Sequence, residues 1–115
     1  MGKYQQILDD LNPQHRELRQ HIPGVYQGFG EMSKATFDSG ALDRKVKELM
    51  ALAMGVVQGC DGCIASHARA AALAGASKAE AAEAIGVAIL MHGGPATIYG
   101  ARAYTAFCEF ADAND

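Results

Sequence analysis

Two cysteines separated by two residues, Cys60 and Cys63, with His67 four residues further on and Glu48 twelve residues before the pair, are the groups in this chain best suited to chemistry. They bound or lie within ELMALAMGVVQGCDGCIASH, the stretch from Glu48 to His67. A thiolate, not a thiol, is the reactive form of cysteine, and the free N–H groups and dipole of a helix N-terminus stabilise it. A two-residue spacer lets the sulfurs join within one turn, as in dithiol redox sites. Four residues along a helix bring His67 onto the face of Cys63, where an imidazole can take the thiol proton as a general base. Glu48, arriving from the preceding antiparallel helix, is placed to orient that imidazole or relay its proton. Cys60, at the helix start, is expected to be the more exposed sulfur and the better placed to meet a partner disulfide. Spacing alone leaves open which thiol attacks first.

Other readings of these residues stand beside this one. Cys60, Cys63 and His67 could ligate zinc, with a carboxylate or His92 as the fourth ligand, although the chain has no second CxxC and no HxxxH. Glu48 could be a surface carboxylate paired with a neighbouring lysine or arginine. His92, in an uncharged, glycine-rich bend, reads either as a pocket residue or as a buried, hydrogen-bonded histidine. His15 and His21 lie in polar, charge-rich sequence and read as solvated surface residues. Cys108, among Ala106, Phe107 and Phe110, reads as a small core residue, and Tyr99 and Tyr104 as core or interface aromatics.

The elements that must position these groups are all helical, because no stretch alternates apolar and polar residues. A short helix over roughly 3–11 puts Ile7, Leu8 and Leu11 on one face. Asn12-Pro13 reads as the cap and first residue of a second helix, with Leu18 inward. A third begins at Pro23 and carries Val25, Phe29, Met32 and Phe37 at helical spacing, closing at Asp38-Ser39-Gly40. Asp43 caps a helix over 43–58 whose residues Leu49 to Val57 carry no charge, the pattern of a buried helix. Gln58-Gly59 breaks it, so the CxxC falls in the first turn of the next helix, which stops at Gly75. Ser77-Lys78-Ala79-Glu80 is a capping box opening a helix over 77–91. Its uncharged part is expected to pack on the 43–58 helix or in a subunit interface. Pro95 starts the last helix, to about Ala111, with residues 112–115 expected to fray.

The length of 115 residues fits a single domain over 1–115. Half the residues are hydrophobic, but many are alanine, which buries little area per residue, so an oligomer is expected to supply further burial. A net charge of −3 without a basic cluster argues against a nucleic-acid partner. No apolar run reaches the roughly eighteen residues of a membrane span, and the polar start lacks the apolar core of a signal peptide. A cytoplasmic address is expected, and in that reducing compartment a CxxC is catalytic or metal-binding more often than structural.

With these residues in view, the chain resembles the AhpD-like alkylhydroperoxidases of the carboxymuconolactone decarboxylase family. The matching segments are GALDRKVKELMALA, GCDGCIASHARAAALAGASKAEAAEAI and HGGPATIYGARA, spanning about 40–103 as an AhpD-like core behind an N-terminal helical segment, 1–39. The resemblance implies an all-α fold of about six helices, assembled as a trimer or hexamer. It also implies reduction of peroxides or disulfides through the CxxC without a bound cofactor or metal, with an external dithiol or reductase as electron donor. Cys63 then matches the peroxide-reacting cysteine, Cys60 its resolving partner, and His67 and Glu48 the proton relay. Gly62 departs from the family pattern, which places a histidine or an aromatic residue before the second cysteine; the departure implies either a wider pocket or weaker control of the thiolate there. Two alternatives use the same fold: a lactone enzyme with His67 or His92 as acid or base, and a non-enzymatic helical module whose CxxC is a redox switch or zinc clip.

Overall fold

Helix α3, Arg44–Gln58, and helix α4, Asp61–Leu73, form the hairpin on which the chain is built. Asp43 caps α3 by accepting the Val46 N–H at 3.0 Å. The helix ends at Gly59, whose φ of 62° is the left-handed conformation that glycine adopts without strain. The Cys60 N–H then bonds back to the Gly55 carbonyl, so the chain reverses within two residues and Cys60 becomes the N-cap of α4. The computed structural model describes residues 2–114; Met1 and Asp115 lie outside the described residues.

Helix α5, Lys78–His92, opens with the expected capping box: Ser77 Oγ accepts from the Glu80 N–H and the Glu80 carboxylate accepts from the Ser77 N–H. It packs on α3 and on α6, Pro95–Ala113. The core between these four helices is largely alanine (Ala65, Ala68, Ala71, Ala81, Ala88, Ala96, Ala103 and Ala106), with Leu52, Val56, Ile64 and Phe107 as its fully buried large side chains. Small side chains let helix axes approach closely. At Gly100 a Cβ would lie 2.9 Å from Ile85 Cγ2, so α5 and α6 touch there through glycine. Asp112 and Ala113, expected to fray, belong to α6.

The N-terminal part differs from its sequence reading. Residues 3–21 form one helix, α1, Lys3–His21, with Pro13 inside it rather than at the start of a second helix. Pro13 removes one hydrogen bond from a solvent-exposed stretch, where water can satisfy the freed carbonyl. Helix α1 is fixed at its start by α6: the Glu109 carboxylate accepts from the N–H groups of Tyr4 and Gln5, at 3.1 and 2.9 Å, which have no acceptor within the helix. Tyr4 is buried beside this contact. Leu18, expected inward, is exposed.

Helix α2, Pro23–Phe37, begins with proline in its first turn as expected but buries no residue. Val25, Phe29 and Met32 point outward, and of the four residues expected at helical spacing only Phe37, at its end, is half-buried. Lys47 of α3 holds that end in place, donating to the carbonyls of Thr36 and Asp38 at 2.8 and 2.7 Å. Among the described residues no helix is long and apolar enough to cross a membrane.

Candidate functional site

Cys60 and Cys63 are joined as a disulfide at the N-terminus of α4, with Cα atoms 5.2 Å apart. The Cys63 N–H donates to Cys60 Sγ at 3.1 Å, so the first sulfur itself caps the helix. Both cysteines are half-buried, and the greater exposure expected for Cys60 does not separate them.

One helical turn on, His67 Nδ1 lies 2.8 Å from Glu48 Oε1. Glu48 is only 2 % exposed, although it follows a charged first turn. Its carboxylate is enclosed between α3 and α4, with Arg44 Nε 3.6 Å from the other oxygen. A carboxylate can only accept, so in the neutral imidazole Nδ1 carries the proton and Nε2 is the basic nitrogen. The Phe37 ring lies against His67, centroids 5.6 Å apart and planes 29° from parallel. The imidazole is therefore fixed by a buried carboxylate at one edge and an aromatic ring on one face. Such an arrangement holds one tautomer and stabilises the imidazolium that forms when the ring takes a proton.

The disulfide and His67 open onto a cleft of about 620 Å³. Cys60, Gly62, Cys63, Ser66 and His67 supply its α4 side; Leu8, Leu11, Asn12 and His15 of α1, with Phe29 of α2, supply the rest. Gly62 does not leave a wider pocket. A Cβ at position 62 would lie 3.0 Å from Leu11 Cδ1, so the leucine occupies the space that a side chain there would need.

The site residues read from the sequence thus separate. Glu48, Cys60, Cys63 and His67 come together, and Glu48 makes the contact that turns a charge pattern into a carboxylate–imidazole pair. His92 does not join them: it is exposed at the end of α5 and does not line this cleft, so it is not the buried, hydrogen-bonded histidine that is one of its two readings. Among the described residues no group of three or more His, Cys, Asp or Glu is placed to hold a metal ion. Cys108 is half-buried on α6 rather than enclosed in the core. Tyr99 packs against the Gly59 turn, and Tyr104 is partly exposed. His15, read as a solvated surface residue, lines the cleft. Leu8, Leu11 and His15 stand at i, i+3 and i+7, a single face of α1 that becomes visible once the helix runs unbroken through Pro13.

An all-helical fold carrying a CxxC beside a buried carboxylate–imidazole pair defines a class of protein. The chain belongs to the carboxymuconolactone decarboxylase family, whose model matches residues 23–106. A family protein from Legionella pneumophila, in its apo form, superposes with a TM-score of 0.91 at 38 % identity over 95 % of this chain and 97 % of its own. A Thermotoga maritima family protein, for which a part in the antioxidative response has been suggested, has a TM-score of 0.71 at 28 % identity, covering 88 % and 92 %. An uncharacterised protein of Cupriavidus necator is 35 % identical over 100 residues, 87 % of this chain and 88 % of that one.

Proposed function

We propose that the Cys60–Cys63 pair cycles between dithiol and disulfide, reducing a peroxide or a partner disulfide at the expense of an external dithiol or reductase. The observation that carries this reading is the disulfide at the N-terminus of α4, with His67 one turn away held by buried Glu48. Two thiols can reduce one oxidant without a bound cofactor, because closing a disulfide releases the two electrons that a peroxide or a partner disulfide takes up.

The cycle follows from the groups present. With a peroxide, His67 Nε2 takes the Cys63 proton, and the thiolate attacks one peroxide oxygen. The O–O bond breaks, leaving a Cys63 sulfenic acid and an alkoxide, which takes a proton from the cleft or from solvent and departs as alcohol. Cys60 then attacks the Cys63 sulfur and water departs, with the imidazolium of His67 placed to protonate the leaving hydroxide. The product is the disulfide, which an external dithiol reduces by thiol–disulfide exchange through a mixed disulfide. Glu48 favours the imidazolium at each stage. With a partner disulfide in place of peroxide, the first attack forms the mixed disulfide directly. The assignment of Cys63 as the attacking thiol rests on its spacing from His67 and on family resemblance.

The antioxidative role suggested for the Thermotoga maritima relative supports this reading for the present chain. A reducing compartment, the cytoplasm, suits a dithiol that must be regenerated. Replacement of Cys63 by serine tests the proposal. Dithiol-dependent peroxide turnover should fall to background, and turnover that survives the substitution at the wild-type rate would exclude Cys63 as the reacting thiol.

A further inference from the structure

The cleft over the disulfide contains two histidines, and only His67 is accounted for by the carboxylate pair. The other, His15, comes from α1 on the opposite wall. It is not a loosely solvated side chain. Its Nδ1 lies 2.8 Å from the Tyr26 hydroxyl on α2, and the two rings meet edge to face with centroids 5.7 Å apart. Tyr26 is itself held, with the Arg19 guanidinium over its ring at 5.1 Å. The chain Arg19, Tyr26, His15 fixes the orientation of an imidazole that is otherwise exposed to solvent. With Nδ1 committed to the phenol, Nε2 is the nitrogen left for a ligand in the cleft.

A redox cleft with this composition lacks one function that chemistry requires. When a thiolate attacks a peroxide, the departing oxygen leaves with the electron pair as alkoxide or hydroxide, a strong base that needs a proton. His67 serves the sulfur side of that reaction. Leu8, Leu11 and Phe29, which make up much of the facing wall, have no proton to give. Among the cleft residues on that wall, His15 is the group that can donate one and exchange it with solvent afterwards.

We propose that His15, oriented by Tyr26, is the acid that protonates the oxygen leaving when Cys63 attacks a hydroperoxide. The proposal rests on the redox reading of the CxxC. In its charged form the ring donates Nδ1–H to the phenol oxygen and holds Nε2–H toward the substrate. Cys63 forms a bond to the terminal peroxide oxygen, and the O–O bond breaks. The alkoxide takes the Nε2 proton and departs as alcohol, leaving sulfenic acid on Cys63 and neutral His15. When Cys60 closes the disulfide, its proton passes to solvent, the hydroxide leaving Cys63 takes the proton held by His67, and solvent reprotonates His15. The sum is two thiols and one hydroperoxide giving one disulfide, one alcohol and one water.

The leaving group provides the test. An alkyl hydroperoxide expels an alkoxide and needs the acid; a peroxycarboxylic acid expels a carboxylate and does not. Reduced full-length protein is mixed with excess cumene hydroperoxide or peracetic acid, and the rate of Cys60–Cys63 disulfide formation is followed. His15→Gln is expected to slow the reaction with cumene hydroperoxide by about tenfold or more, the low end of the usual contribution of a general acid, and to leave peracetic acid within about twofold of wild type. Tyr26→Phe should show the same selective loss in weaker form, and an unchanged Tyr26→Phe removes the tyrosine from the proposal. Equal loss with both oxidants would mean a structural role and overturns the assignment, as does loss with neither. If the wild-type chain forms no disulfide with either oxidant, the redox reading itself fails.

Discussion

Glu48 Oε1 and His67 Nδ1 meet at 2.8 Å across the α3–α4 hairpin, although they are 19 residues apart in the chain. The Gly59 turn makes this meeting possible, because it folds α4 back so that its second turn lies beside the start of α3. The same turn places Cys60 at the head of α4, so one backbone reversal sets both the thiol pair and the base that serves it.

Replacing Glu48 by glutamine keeps the volume and an acceptor for Nδ1–H but removes the charge that favours an imidazolium. Peroxide-driven disulfide formation should slow by at least about tenfold, as expected when a general base loses its stabilising partner, with little change in thermal unfolding. Glu48→Ala removes a side chain that is 3 % exposed and strands its partners, so it should also destabilise by about 1–3 kcal/mol. Disulfide-formation kinetics and thermal melts of the two variants separate these effects. A glutamine variant with wild-type kinetics would remove the carboxylate from the relay.

Position 62 tests the wall of the cleft. Alanine there meets Leu11 Cδ1 at 3.0 Å and requires that leucine to move. Where Leu11 has already been shortened to alanine, the same Gly62→Ala change should stabilise by about 0.5–1 kcal/mol, the ordinary gain of alanine over glycine in a helix. In the wild-type background the gain should be reduced or reversed. Chemical denaturation of the four-member cycle measures the coupling, and additive effects would mean that Leu11 does not occupy that space in solution.

Much of the four-helix core is legible from the sequence because its signals are local. Asp43, Gly59 and the Ser77–Glu80 box mark helix ends through backbone hydrogen bonds within a few residues, and each is found in its expected role. The Glu48–His67 pairing is suggested in sequence by the last charge before an uncharged segment lying close to the CxxC and its histidine, but helix geometry alone leaves a surface lysine or arginine as an equal partner. The N-terminal part was not readable in the same way. Proline after asparagine marks a helix start in isolation, but α1 continues through Pro13, with its first turn held by Glu109, a residue more than a hundred positions away. That continuity brings Leu11 over Gly62 and His15 into the cleft. His92 is the converse: an uncharged, glycine-rich bend reads equally as a pocket or as a place for a buried histidine, yet Gly93 serves the turn between α5 and α6 and the ring is exposed.

The apolar surface that these helices leave uncovered supports association. Phe29 on α2 is 66 % exposed and Leu90 on α5 is 81 % exposed, with Val25, Met32, Val87 and Met91 beside them in sequence and likewise outward. Large exposed apolar side chains, where they gather into a patch, mark interaction sites. Sedimentation velocity should give a species at a multiple of the 12.1 kDa chain, with three or six copies the number that family resemblance implies. A species that sediments as one chain at micromolar concentration would contradict this.

Free-thiol titration tests most directly whether Cys60 and Cys63 are a working redox pair. The reduced, metal-free protein should present three titratable thiols under denaturing conditions, one for each of its cysteines. After a small excess of hydrogen peroxide it should present one, with the peptide spanning 60–67 lighter by two hydrogens and restored by dithiol. Three thiols surviving peroxide, with that peptide unchanged in mass, would contradict the account.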